Sequence, residues 1–382
     1  MTRKPRVLVF IDWYLPGSRS GGPVQSCANL IAHLKDEFDF SVVTRNVDYM
    51  SSAPYANIKS DQWNELADGT RVYYFSPGKL SKKGIYSLLK TEDYDRVYLN
   101  GIFSRYFTLT PLRYFMGMAS KKVIVSSRGM LADSALAIKS RKKSLFLFFA
   151  KQFNLFRDVL FHATNEQEAD SVRKVFGKNA LIHIAPNLSE NSQIKEWKAK
   201  ARSANLLKLV NVARISPEKN IKYALEVLRD VKCNVQFDLY GPVYSEVYWS
   251  ECKKIISSLP KNISVNYKGS LESNKVSETI SQYDLLFLPT QGENFGHVIL
   301  QAMSVGTPVI ISNKTMWNDL QSKKAGWDIP LSESRKFVSV IENCAAMSQA
   351  EYDAVSKGAF EFGRVYMGNK ESIELNRQLF LK

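Results

Sequence analysis

Short apolar runs rich in β-branched and aromatic residues alternate along the chain with longer amphipathic segments. This alternation is typical of a parallel sheet covered by helices. The strands predicted in the first half are Val7–Ile11, Phe40–Thr44, Val72–Phe75, Val97–Leu99, Val123–Ser126, Leu160–Ala163 and Leu181–Ala185. Those predicted in the second half are Leu207–Val212, Val235–Tyr240, Ile263–Tyr267, Leu285–Leu288 and Pro308–Ile311. Each half is therefore expected to build its own sheet.

The 382 residues are too many for one ordinary domain. Residues 188–204 are polar, basic and poor in large apolar side chains, which predicts a linker. It separates an N-terminal domain, 1–187, from a C-terminal domain, 205–360. A terminal helix, 361–382, is expected to pack back on the N-terminal domain. We predict two Rossmann-like, doubly wound α/β domains that face each other across a cleft, with ligands at the carboxyl ends of the strands.

The cysteines argue against a disulfide framework and against a zinc site, because they are scattered and include no CxxC pair. The first apolar run, Val7–Ile11, is too short for the core of a signal peptide. No stretch approaches the roughly 18 to 20 apolar residues that span a bilayer. We expect a cytoplasmic protein that is soluble or peripheral on a membrane.

The formal net charge of +15 favours an anionic partner. A phosphorylated substrate, an acidic membrane surface and nucleic acid all fit a basic chain. Nucleic acid is the weakest of the three, because the sequence has no zinc-finger spacing, RNP-type aromatic motif or basic leucine-zipper pattern.

The segment Ala137–Leu160 combines basic and large apolar residues. Phe149, Phe153, Phe156 and Leu160 recur at helical spacing, which predicts a basic amphipathic helix over 137–160. Its apolar face either packs on the N-terminal sheet or contacts an anionic membrane surface.

Paired glycines follow the first predicted strand. Gly21 and Gly22 open a predicted helix from about Val24 to Leu34. Backbone amides at such a start suit an anion, and glycines let a phosphate approach closely. An ordinary strand-to-helix turn explains the pair equally well, and the G-x-G-x-x-G fingerprint of dinucleotide sites is absent.

Two cations follow the first predicted strand of the second half. Arg214 and Lys219 bracket a turn before a predicted helix. Beside a helix N-terminus they would stabilise a diphosphate, above all the charge gained when it leaves. Alternatively, they are basic residues of an ordinary solvated turn.

Residues 289–312, PTQGENFGHVILQAMSVGTPVIIS, predict a polar loop followed by a helix that begins near Phe295 or Gly296 and ends before Gly306. Glu293 in the loop either accepts hydrogen bonds from ligand hydroxyls or acts as a favourable charge near the helix dipole. Amides at the helix start are free to bind ligand atoms. Two side chains on the helix, His297 and Gln301, share a face.

The stretch ENFGHVILQAMSVGTPVI resembles the E-x7-E segment of retaining glycosyltransferases of family 4. Five other segments of the family's pattern occur along the chain in the family's order. They are the N-terminal GG, ARISPEKN, Gly241–Pro242, KGS at 268–270 and FLPT at 287–290. The resemblance implies a GT-B fold and metal-independent sugar transfer, with retention, from a nucleotide sugar, a UDP- or GDP-sugar above all, without a cofactor. It also implies that the N-terminal domain binds a carbohydrate acceptor, including a lipid-linked one, in bacterial surface polysaccharide synthesis. The C-terminal domain would bind the nucleotide sugar.

The resemblance further implies roles for single residues. Arg214 and Lys219 would hold the donor diphosphate and Glu293 would orient the donor sugar. Gln301 stands where the family carries a second Glu that contacts the ribose. The residues predicted to bind the donor are Gly21, Gly22, Arg128, Gly241, Asn294, Phe295, Gly296, His297 and Gln301.

Arg128 occupies a loop position where several relatives carry His. A permanent cation there binds donor phosphate or an acidic acceptor, but it cannot serve as a base. The alternative is a buried Arg that pairs with a carboxylate.

Two other functions fit the same motifs: a sugar-nucleotide epimerase with the same fold, and a catalytically weak donor-binding scaffold in which Gln301 replaced the second Glu.

Overall fold

The computed structural model describes residues 3–17, 19–116, 118, 122–132, 135–136, 140–190, 196–203 and 205–381. The chain divides into two compact units. Unit 1 consists of Met1–Asn191 and Asn369–Lys382, and unit 2 of Ser192–Gly368. The division falls inside the segment predicted as a linker, and the chain returns to unit 1 later than residue 361, where the sequence predicts the terminal helix to begin.

Parallel strands form most of unit 1's sheet. Its strands are β1 Arg6–Ile11, β2 Asp39–Arg45, β3 Trp63–Glu65, β4 Arg71–Phe75, β5 Arg96–Asn100, β6 Lys122–Ser126, β7 Val159–Ala163 and β8 Ile182–Ile184. In the described residues they lie in the order β3-β4-β2-β1-β5-β6-β7-β8, and only the β3–β4 pair is antiparallel. The central strands are buried on both faces, which explains why they read as continuous apolar runs.

Unit 2 has a parallel sheet. Its strands are β9 Leu207–Val212, β10 Val235–Tyr240, β11 Ile263–Tyr267, β12 Leu285–Leu288, β13 Val309–Ser312 and β14 Gly326–Ile329. They lie in the order β11-β10-β9-β12-β13-β14. Strand β9 pairs with both β10 and β12, so the chain order reverses direction at this strand. The loops after β9 and β12 therefore leave the same edge of the sheet side by side.

Helices cover both sheets. Over the described residues they are α1 Gly22–Leu34, α2 Lys82–Thr91, α3 Thr110–Phe115, α4 Ser140–Gln152, α5 Glu166–Phe176, α6 Ile221–Arg229, α7 Glu246–Ile256, α8 Val276–Ile280, α9 His297–Ser304, α10 Ser334–Ala346, α11 Gln349–Met367 and α12 Lys370–Leu381. None of these helices combines the length and the apolar character that crossing a bilayer requires.

The fold class predicted from the sequence, two α/β domains with mainly parallel sheets, is confirmed. Every predicted strand is present, with its ends within one residue of the prediction. Two strands were missed, β3 and β14. Both lie at the edge of a sheet, and their sequences, WNE and GWDI, contain no apolar run.

The predicted helix over 137–160 is wrong in its second half, and residues 137–139 lie outside the described part of the chain. Helix α4 ends at Gln152 because Asn154 takes a left-handed conformation, φ 48°. The amide of Leu155 then donates to the carbonyl of Ala150 at 2.9 Å, and that of Asn154 to Lys151 at 3.0 Å. These bonds form a Schellman motif, which terminates helices. Phe156 is buried beyond the helix, and Leu160 belongs to β7.

The C-terminal helix α12 packs within unit 1. Phe380 is almost fully buried, and its ring lies 5.5 Å from that of Phe38 and 5.6 Å from that of Phe40, measured between centroids. The Nδ2 of Asn376 donates to the carbonyl of Pro186 at 2.8 Å. The last residues of the chain therefore complete the core under β1 and β2.

Candidate functional site

Two loops meet at the carboxyl edge of unit 2's sheet, one after β9 and one after β12. The amide of Gln291 donates to the carbonyl of Glu218 at 2.9 Å, and the hydroxyl of Thr290 donates to the same oxygen at 3.0 Å. The Nδ2 of Asn220 donates to the carbonyl of Pro289 at 3.0 Å. These hydrogen bonds fix the two loops to one another through groups that the sequence analysis did not single out.

Lys219 and Glu293 form an ion pair between the loops. The Nζ of Lys219 donates to Oε1 of Glu293, and their side chains are only 12% and 14% exposed. A short 3₁₀ turn, Pro217–Lys219, and a left-handed Asn220, φ 60°, place Lys219 just before α6. The amide of Glu293 donates to the carbonyl of Lys314 at 3.1 Å. Two residues predicted for different tasks are thus in direct contact.

Arg214 lies on the same loop as Lys219 and has different partners. Its Nη2 is 3.3 Å from Oε1 of Glu218, and its guanidinium carbon is 5.0 Å from the ring centroid of Tyr244. The Arg214 side chain is 35% exposed. An ion pair at that exposure is weak, so a stronger anion can replace Glu218 as the partner of Arg214.

Gly241 packs closely against the backbone of the loop after β9. It follows β10 with φ 138°, and a Cβ built on it would lie 1.9 Å from the carbonyl oxygen of Ala213 and 3.2 Å from the amide of Arg214. No other residue fits at Gly241 without moving that backbone. The structure therefore places Gly241 where it holds the position of Arg214, and its predicted contact with a ligand stays a prediction.

The first turn of α9 presents its backbone at the same edge of the sheet. Gly296 caps the helix in a left-handed conformation, φ 74°. The Phe295 side chain is buried, with its ring 5.5 Å from that of Trp317, whose Nε1 donates to the carbonyl of Phe295 at 2.6 Å. The ring of Phe295 is thus packed inside unit 2, so Phe295 offers a ligand only its backbone amide.

His297 and Gln301 are both half-buried on α9. The imidazole of His297 lies 4.5 Å from the ring of Phe295, between centroids. Gln301 follows four residues later, so both side chains lie on one face of the helix. A neutral Gln at this position offers a carbonyl acceptor and an amide donor.

Gly21, Gly22 and Arg128 belong to unit 1. Gly21 precedes α1 with φ 70°, and a Cβ at either glycine would have no described atom within 4 Å. Both glycines border open space, as an approaching ligand would require. Their predicted contact with phosphate stays a prediction.

Arg128 is buried at the carboxyl edge of unit 1's sheet, in a left-handed conformation with φ 49°. Its Nε donates to Oδ1 of Asn100 at 2.8 Å, Nη1 to Oδ1 of Asn187 at 2.6 Å and Nη2 to the hydroxyl of Tyr98 at 3.0 Å. These acceptors are neutral oxygens, which differs from the carboxylate partner expected for a buried Arg. They use three of the five guanidinium N–H groups, so the site retains donors for an anion.

A buried carboxylate in the first turn of α5 holds the loop that carries Arg128. Glu168 accepts hydrogen bonds from the hydroxyl of Ser127 and the amide of Gly129, both at 2.6 Å, and from the amide of Thr164 at 2.7 Å. Burial alone would raise the pKa of Glu168, but these hydrogen bonds outweigh it and lower the pKa. Glu168 therefore stays ionised and fixes the loop that carries Arg128.

His162 links Arg128 to the backbone through Tyr98. Its Nε2 lies 2.8 Å from the carbonyl of Ala185, so Nε2 carries the proton, and Nδ1 accepts from the Tyr98 hydroxyl at 2.8 Å. Burial, and next the charge of Arg128, lower the pKa of His162 to about 4. His162 is therefore neutral in the folded protein at neutral pH.

Comparison with protein families matches residues 193–342 to the family described as glycosyl transferases group 1. Among curated relatives, SQD2, the sulfoquinovosyl transferase of Arabidopsis thaliana, is 26% identical over 103 residues, which cover 27% of this chain and 18% of SQD2. A protein described as the colanic acid biosynthesis glycosyltransferase WcaL of Escherichia coli K12 is 23% identical over 160 residues, covering 40% of this chain and 39% of WcaL. The chain thus spans less than half the length of these two relatives.

Solved structures match over nearly the whole chain. A sucrose-phosphate synthase from Thermosynechococcus elongatus has a TM-score of 0.75 at 17% identity, covering 99% of this chain and 100% of that one. HepE from Anabaena, solved with UDP and glucose, has a TM-score of 0.71 at 16% identity and 98% coverage of both chains. At these identities the likeness establishes the fold.

The pKa of His162 predicts how stability depends on pH. In the unfolded chain His162 titrates near its ordinary value of 6.5, whereas in the folded protein it titrates near 4. Between these values the unfolded state binds more protons, so the free energy of unfolding falls as pH decreases from about 6.5 to about 4. Urea denaturation across this range should show a shallower pH dependence in His162→Gln, which does not titrate. Equal slopes for the variant and the wild type would contradict the assignment.

Proposed function

We propose that the chain is a glycosyltransferase, because residues 193–342 match the family described as glycosyl transferases group 1. It moves a sugar from a nucleotide-sugar donor to a carbohydrate acceptor, with retention of the anomeric configuration. The donor site lies at the carboxyl edge of unit 2's sheet, at the strand where the chain order reverses direction.

The Lys219–Glu293 pair is the observation that carries this proposal. A cation and a carboxylate are held within contact, mostly shielded from water, between two loops that other hydrogen bonds already fasten. The pair therefore does not need to be there to hold the loops together. We infer that both groups bind the donor: Lys219 exchanges Glu293 for the donor diphosphate, and Glu293 accepts hydrogen bonds from donor-sugar hydroxyls.

The reaction assigned to the site is a displacement at the anomeric carbon. The acceptor hydroxyl forms a bond to that carbon, while the bond from the carbon to the diphosphate oxygen breaks and leaves its electron pair on that oxygen. The acceptor proton passes to the departing diphosphate oxygen. Lys219 and Arg214 neutralise the charge that develops on the diphosphate, and this supplies the main stabilisation of the transition state without a metal ion. Neither a protein nucleophile nor a protein base is required.

The remaining donor contacts follow from the same geometry. Backbone amides at Asn294 and Gly296 bind oxygens of the sugar or phosphate. Gln301 accepts from a ribose hydroxyl through its side-chain carbonyl, in a bond about half as strong as that to a carboxylate. The likeness to HepE, whose structure contains UDP and glucose, supports a UDP-sugar as the donor to test first.

We further propose that the acceptor is bound by unit 1 and is a lipid-linked oligosaccharide at the cytoplasmic face of a bacterial membrane. The likeness to WcaL, described as a colanic acid biosynthesis glycosyltransferase, supports surface polysaccharide as the product. The net charge of +15 supports a site beside anionic headgroups.

Replacing Lys219 by Ala should reduce turnover by roughly 30- to 1,000-fold, because about 2–4 kcal/mol of transition-state stabilisation is lost. Glu293→Ala should nearly abolish transfer, because the sugar is then misplaced. The donor would be chosen by thermal shift from UDP, GDP, ADP and their sugars, since a bound ligand raises the unfolding temperature. Turnover would be followed as nucleotide release with a lipid-linked oligosaccharide acceptor.

Lys222→Ala is the matched control for that experiment. Lys222 lies in the first turn of α6, and it pairs with Glu251 on the surface, with side-chain exposures of 44% and 49%. Its loss should leave turnover almost unchanged. Wild-type turnover in a folded Lys219→Ala or Glu293→Ala protein would overturn the proposal. Donor conversion without any acceptor would favour an epimerase, and tight nucleotide binding without transfer would favour a scaffold.

The Gln301→Glu variant tests the ribose contact separately. A carboxylate accepts stronger hydrogen bonds from ribose hydroxyls, so the donor Michaelis constant should fall or stay equal while turnover stays similar. Steady-state kinetics with varied donor concentration measures both quantities. If Gln301→Glu converted an inactive protein into an active one, the native Gln301 would be the cause of inactivity and not a working replacement for the family's second Glu.

A further inference from the structure

Helix α4 and the residue after it expose a cluster of large apolar side chains. Leu145 is 59% exposed, Phe148 61%, Phe149 47% and Phe153 69%. Over the ranges that the structure describes, Phe148, Phe149 and Phe153 are the only exposed phenylalanines. Side chains of this size are ordinarily buried, so their concentration within nine residues calls for a function.

The exposed rings are not a poorly packed part of the core. The opposite side of α4 is buried in unit 1 through Leu147 and Ala150. The exposed rings contact one another, with centroids 5.5 Å apart for Phe148 and Phe149 and 6.2 Å apart for the stacked rings of Phe149 and Phe153. Within the described residues, helix α4 therefore has two apolar sides, of which one is buried and the other is exposed.

Along the sequence, the charged residues between 134 and 157 have a single sign. Residues 134–157 contain no Asp or Glu. Arg141 and Lys142 are exposed before the rings, and Lys151 and Arg157 are exposed beside and after them. This surface therefore fits a partner that is apolar inside and anionic at its boundary.

We propose that this face, Leu145, Phe148, Phe149 and Phe153 with Arg141, Lys142 and Lys151, docks unit 1 on an anionic lipid bilayer. The helix lies in the plane of the interface, the rings enter the boundary between headgroups and acyl chains, and the cations contact lipid phosphates. A bilayer supplies apolar interior and anionic surface together, which matches both features of the face. The inference goes beyond sugar transfer, because it concerns only the binding of unit 1 to a bilayer.

The test is sedimentation of the full chain with vesicles of phosphatidylcholine, alone or mixed with phosphatidylglycerol. The wild type should bind the mixed vesicles at least about ten-fold better, and binding should fall steeply with salt, since exposed charges are screened within about 10 Å at 0.1 M. An aromatic variant, Phe148→Ser with Phe149→Ser and Phe153→Ser, and a charge variant, Arg141→Gln with Lys142→Gln and Lys151→Gln, should each lose at least about ten-fold in affinity.

Val247→Ser is the matched control, because Val247 is 74% exposed on unit 2 and should not affect vesicle binding. Insertion of the rings into the bilayer is measured with the Phe148→Trp variant. The fluorescence of the added Trp should be quenched by brominated lipid. Both multiple variants replace exposed side chains, so their thermal unfolding and their stabilisation by UDP should equal those of the wild type. Loss of vesicle binding with UDP binding intact therefore separates this inference from the proposed function.

Two outcomes would overturn the inference. One is equal binding, or no binding, of the wild type to neutral and mixed vesicles. The other is a concentration-dependent dimer in solution that the aromatic variant abolishes, because the exposed face would then be an interface between two copies of this chain.

Discussion

The contact between Lys219 and Glu293 depends on one feature of the sheet, the pairing of β9 with β12. Residues 74 positions apart in sequence meet because the loops after these two strands leave the same edge. The carbonyl of Glu218 and the side chain of Asn220 fasten the loops, and Gly241 fixes the backbone behind Arg214. The chemistry proposed for the site needs this arrangement, since a cation for the diphosphate and a carboxylate for the sugar must lie a few ångströms apart.

The sequence was sufficient to predict most of the fold, because strands buried on both faces read as unbroken apolar runs. Strands β3 and β14 escaped because their sequences, WNE and GWDI, carry no such run. The loops that hold Lys219 and Glu293 were predictable from the strands before them. Their direct pairing was not, because it depends on the order of strands in the sheet and on the hydrogen bonds of Glu218 and Asn220.

Two other differences between the sequence-based predictions and the structure also arise from features that sequence spacing does not show. The helical spacing of aromatic residues continues through Phe153 and Phe156, but a Schellman motif at Asn154 ends α4, and spacing alone does not distinguish a ring in the core from one in water. Arg128 receives its partners from two separate segments: β5, which carries Tyr98 and Asn100, and the stretch after β8, which carries Asn187. Such contacts are set by tertiary structure and leave no local pattern.

The central claim is that the Lys219–Glu293 pair is replaced when a nucleotide diphosphate binds. A double-mutant cycle of Lys219→Met and Glu293→Gln, measured as the free energy of unfolding with and without saturating UDP, tests it most directly. Without UDP the cycle should give a favourable coupling on the order of 1 kcal/mol between the two residues. With UDP bound, the coupling should fall toward zero, because Lys219 then contacts phosphate. A coupling that stays the same when UDP saturates all four proteins would contradict the account.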